Sequence, residues 1–155
     1  ISGSGREIEF SDTSFVQNRG LIRVDPNYQC IAVVLNYYVI VIIPLLTNGL
    51  GNHFVVYKSS LGIRGQLKDL QFLYNSILPT MVLVEVGFTY DGDVGIDANL
   101  AGTAGYNGSN TSLFLAAITP AIKDCRVVYS YYGLPYDCTH VEPLPSPDQA
   151  FLLIS

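Results

Sequence analysis

Asp91-Gly92-Asp93-Val94-Gly95-Ile96-Asp97 sets three carboxylates at near-alternate positions in a glycine-rich stretch. Calcium takes hard oxygen donors of this kind, so Asp91, Asp93 and Asp97 are candidate metal ligands, and calcium is the one cofactor the chain suggests. The stretch departs from an EF-hand loop, whose sixth position would be Ile96 instead of glycine and whose twelfth would be Gly102 instead of glutamate. The competing reading is that the three aspartates support turns and solvate a loop.

Other chemistry-bearing residues are scattered. His53 and His140 are the only histidines, and neither lies in a nucleophile or metal motif. Ser59, Ser60, Asp137 and His140 could meet in space, but no Gly-x-Ser-x-Gly elbow accompanies them, so no catalytic residue is assigned and the expectation is a protein that is not an enzyme. Cys30, Cys125 and Cys138 lack the close spacing of a zinc or redox motif. They are read either as free thiols or, in an oxidising compartment, as one Cys125–Cys138 bridge and a leftover thiol. Asn107-Gly108-Ser109 and Asn110-Thr111-Ser112 fit the glycosylation pattern, so Asn107 and Asn110 would carry sugar only in a secreted protein. Glu85 stands alone in an apolar run, where a carboxylate is costly unless paired, and is assigned to a wetter face or a subunit contact.

The elements that must hold these residues are mostly strands. Eleven Tyr, seven Phe and fourteen Gly, with many Val, Ile and Thr, favour strands joined by turns. The run Ile31–Leu46 is too short and too interrupted by Asn36 and Pro44 for a spanning helix, which takes about 20 apolar residues. It reads as buried β-structure with a bulge or bend near Asn36–Tyr38 or at Pro44, and no membrane span is expected. Strands are also expected at Leu21–Val24, His53–Lys58, Leu113–Ile118, Arg126–Tyr132 and the apolar end 150–154, with residues 1–16 as an arm or edge strand. Residues 133–149, which hold Pro135, Pro143, Pro145 and Pro147, read as an extended surface segment. One helix is expected over about 66–78, because Leu67, Leu70, Tyr74 and Ile77 recur at spacings of three and four before Pro79. From Met81 to Tyr90 a strict alternation follows, with Val82, Val84 and Val86 on one face.

This pattern predicts an all-β fold: a two-sheet antiparallel sandwich of jelly-roll or Greek-key type with one short inserted helix, spanning residues 1–155 as a single domain. The helix-to-strand step over about residues 66–90 resembles that of single jelly-roll capsid proteins of small icosahedral viruses. The resemblance implies a shell-forming subunit, a virion location, and calcium held by paired acids at subunit contacts.

Composition points the same way. Hydrophobic residues make up 49% and charged residues 14%, well below the roughly 25% usual in soluble domains, so the surface is expected to be covered by copies of the chain itself. A net charge of −5, from 8 Lys+Arg against 13 Asp+Glu, argues against a nucleic-acid grip through the folded surface. A genome partner would require a basic arm ahead of Ile1. The second reading is a secreted β-sandwich subunit of an extracellular or cell-surface filament built by strand complementation. A third is a small β-rich module that binds a ligand or carbohydrate through its tyrosines.

Overall fold

The computed structural model describes residues 20–36, 38–87, 110–135 and 137–155, and these are arranged in antiparallel sheets. The first sheet is built from β1 (Leu21–Val24), β2 (Cys30–Leu35), β3 (Val39–Leu46) and β5 (Phe54–Tyr57), in that spatial order, with the two-residue β4 (Gly49–Leu50) on the end of β3. The apolar run thus reverses between Leu35 and Val39, a complete hairpin in place of the expected bulge or bend. Asn36 takes the left-handed conformation, with φ 49°, which asparagine tolerates better than most side chains. Alternation then splits the sheet cleanly. Cys30, Ala32, Val34, Ile40, Ile42 and Val56 are buried on its inner face.

The second sheet runs β6 (Gln66–Phe72), β7 (Thr80–Gly87), β8 (Asn110–Thr119), β9 (Asp124–Leu134). Residues 66–72, expected to be helical, are therefore a strand, and residues 73–79 form the connection to β7. The physical reason is a β-bulge at Lys68: Leu67 pairs with Glu85 and Asp69 with Val84, which leaves Lys68 without a partner. One extra residue stretches the in-facing spacing from two to three, so Leu67 and Leu70 imitate a helical step while Leu70 and Phe72 keep the strand period. Ile77, assigned to the helix's apolar face, is 91% exposed.

β10 (His140–Pro143) and β11 (Phe151–Ile154) pair as a separate hairpin, which places a strand inside the expected extended segment. It covers the face of the second sheet that the first sheet does not. Leu67, Leu70, Phe72, Met81, Leu83, Phe114, Ala116 and Ile118 pack against the first sheet, whereas Val82, Val84 and Leu113 pack with Val141 and half-buried Phe151 and Leu153 of the hairpin. β7 is consequently buried on both faces, as a central layer requires.

The sandwich expectation holds at the level of packed antiparallel sheets. Among the described residues the jelly-roll strand order is not seen: the main strands of each sheet neighbour one another in the order in which the chain supplies them. The 73–79 and 120–123 links are short and reach only the adjacent strand.

Candidate functional site

Asp91, Asp93, Asp97 and Asn107 lie outside the described residues, and of Asn110 only its place at the start of β8 is described. Among the described residues, no three His, Cys, Asp or Glu side chains stand close enough to hold a metal ion. His53 is exposed, and His140 Nδ1 lies 2.8 Å from Thr139 Oγ1. Ser60 Oγ donates to the Tyr57 carbonyl at 2.7 Å, so its hydroxyl is committed to the backbone and not to a histidine. Asp137 is exposed.

Three buried carboxylates do have defined surroundings, and each is occupied with holding backbone. Asp69, on β6, joins three elements: Oδ1 accepts from Leu70 N at 2.8 Å and lies 3.4 Å from Arg23 Nη2 of β1, and Oδ2 accepts from Val141 N of β10 at 2.9 Å. Glu85 is buried and not on a wet face, which corrects its expected position. Its Oε1 accepts from Arg64 N at 2.7 Å and from Gly65 N, fastening the loop before β6. Gly65 cannot be replaced without movement, because a Cβ there would run into the backbone of Val86 and Gly87.

Asp25 closes the β1–β2 turn, with Oδ2 accepting from Gln29 N at 3.1 Å. Burial pushes its pKa above the ordinary value of 3.8, and backbone hydrogen bonds at Gln29 and Asn27 only partly offset this. The same turn docks on the 73–79 connection through Asn27 Nδ2 to the Ser76 carbonyl, 3.0 Å, and Gln29 Nε2 to the Ile77 carbonyl, 3.2 Å.

The cysteines are free. Burial pushes the Cys30 and Cys125 thiols up to about 12 each, so neither is a nucleophile near neutrality. A cavity of about 440 Å³ opens between Tyr28, Gln29, Pro44, Leu45, Leu46, Leu78 and the 119–121 turn. Among the described residues that line it there is no carboxylate, thiol, imidazole or cation, so these offer shape and apolar contact without acid–base chemistry.

What dominates the described surface is the outer face of the first sheet. By register its side chains fall into cross-strand rows: Val24, Ile31 and Ile43; Ile22, Val33, Val41 and Val55; Leu35, Val39 and Tyr57. No charged side chain interrupts them, and Ile22 and Tyr57 are each 61% exposed. The inner face of the same sheet is no more apolar. A second apolar surface follows β9, where Val128, Tyr129, Tyr131 and Tyr132 are exposed and which pairs, among the described residues, with β8 alone.

No protein-family model and no curated protein matches the sequence. No helix among the described residues is long and apolar enough to cross a membrane.

The outer face was missed by sequence reasoning, although its signal was present. Ile31–Leu46 is apolar at odd and even positions alike, the pattern of strands covered on both faces, yet the described residues supply a covering layer on one face alone.

Proposed function

We propose that the protein is a non-enzymatic structural subunit that assembles with copies of itself. One observation carries this reading: all four main strands of the first sheet turn an uncharged apolar face outward. Monomeric soluble proteins rarely expose such contiguous surface, which is a feature of interaction sites. The low charged content and the occupation of the buried acids in backbone support favour scaffold over catalyst.

The coat-protein form of this reading loses the feature that suggested it, since the helix-to-strand step is a hairpin, and it rests now on composition and surface alone. A filament subunit has its own support in the eleven-residue β9, which is the last strand of its sheet among the described residues and carries four exposed large apolar side chains, a surface suited to strand addition. Sedimentation velocity over a wide concentration range, with electron microscopy of the same samples, tests the proposal. Closed particles would make the chain a shell subunit, and open fibres a filament subunit. A lone monomer at every concentration would overturn self-assembly and promote the ligand-binding reading.

A further inference from the structure

We infer that two copies of this chain stack through the outer face of the β1–β2–β3–β5 sheet, about a twofold axis near Val33 and Val41. This rests on the self-assembly reading and names the surface and the partner. The chemistry of the face selects its occupant. An acidic or basic partner, or a nucleic acid, needs charge to recognise, and the rows carry none. An anionic lipid surface needs cations at the rim. Lys58 stands at that rim, but its Nζ donates to the Gly65 carbonyl and sits 4.7 Å from the Tyr38 ring centroid. A net charge of −5 opposes such a surface further.

A second copy meets every requirement with one patch, because a twofold contact is self-complementary. Sheets pack face to face about 10 Å apart, which is the solution this same sheet already uses on its inner side. Valine and isoleucine make up most of the face, and their stiff side chains lose little freedom when covered. Strands about 4.8 Å apart and rows about 7 Å apart give roughly 400 Å² in projection. Two such faces, with the relief of their side chains, reach the roughly 1,000 Å² of total burial that a specific interface requires.

The test uses the full chain in sedimentation velocity. Val41→Lys places a like charge on each side of the axis and is expected to raise the dimer dissociation constant at least about 100-fold, the scale for an unpaired buried charge. Val41→Glu is expected to do the same, and an equimolar mixture of the two variants should associate again as a mixed pair. Ile22→Lys and Val55→Lys stand at exposed ends of the central row, so they fold even where a central charge does not, and each should weaken association about 10-fold with an unchanged circular dichroism spectrum. A wild-type chain that stays monomeric overturns both this inference and the self-assembly reading. Wild-type assembly that persists unchanged in Ile22→Lys and Val55→Lys overturns only the inference and moves the contact elsewhere, with β9 next in line.

Discussion

Asp69 shows how much architecture one side chain can organise. Its two oxygens reach β1, β6 and β10, so it is the point where the first sheet, the second sheet and the covering hairpin are tied together. Asp69→Ala would strand two buried amide donors and the Arg23 guanidinium, an expected loss of about 2–4 kcal/mol by urea denaturation. A loss below about 0.5 kcal/mol would show that these bonds are replaced by water. Asp25 is expected to act in the opposite sense. Because its folded pKa is raised, its favourable contribution is complete below 3.8 and is lost as pH rises through the folded value. Asp25→Asn keeps an acceptor for Gln29 N and removes the ionisation. Its stability should therefore hold as pH is raised above 3.8, over a range where the wild type declines, which thermal melts in stepped buffers would show. Neither role was legible in sequence, because Asp69 lies in a stretch whose period looked helical and Asp25 in an ordinary Asp-Pro-Asn turn. Glu85 was partly legible: a single acid in an apolar strand announced that it needed a partner, but its partners are backbone amides twenty residues away.

Among the elements, strands with an uninterrupted period were legible, and the one with a bulge was not. Leu21–Val24 is a strand with the expected bounds, and the final apolar strand also stands where the sequence places it. β6 was misread because Leu67 and Leu70 stand three apart, a distance that a helix and a bulged strand share. The bulge makes a sharp prediction. Deleting Lys68 would bring Leu67 and Asp69 together in ordinary alternation, with Leu67, Leu70 and Phe72 still facing the core and Asp69 still facing β10. The deletion variant should fold cooperatively with a melting temperature within about 5 °C of wild type, since a residue that pairs with nothing contributes little to the ladder. Inserting one residue between Leu70 and Gln71 should instead turn Phe72 out of the core and abolish cooperative unfolding. Equal damage from both changes would mean that β6 depends on the bend at Lys68 as much as on its facing.

For the whole molecule, the two outer faces receive opposite treatment. The second sheet has its far side covered by the chain's own β10–β11 hairpin, whereas the first sheet has ten apolar side chains in register and nothing over them among the described residues. The hairpin shows what an uncovered sheet costs this protein. Ending the chain after Leu134 would expose Val82, Val84, Leu113 and Leu73 and remove Val141, each worth about 1.5–3 kcal/mol as an upper estimate when fully buried. It would also leave Asp69 Oδ2 without its donor. Set against a usual margin of 5–15 kcal/mol, that loss is expected to abolish cooperative unfolding and produce strong binding of an apolar dye such as anilinonaphthalene sulfonate. In the full chain, the dye bound at the outer face of the first sheet should be released as protein concentration rises and that face is covered, so total binding per chain should fall. Dye binding that is independent of concentration in the full chain would mean that copies of the protein leave the face open. A truncated chain that melts like the full one would show that the second sheet needs no cover at all.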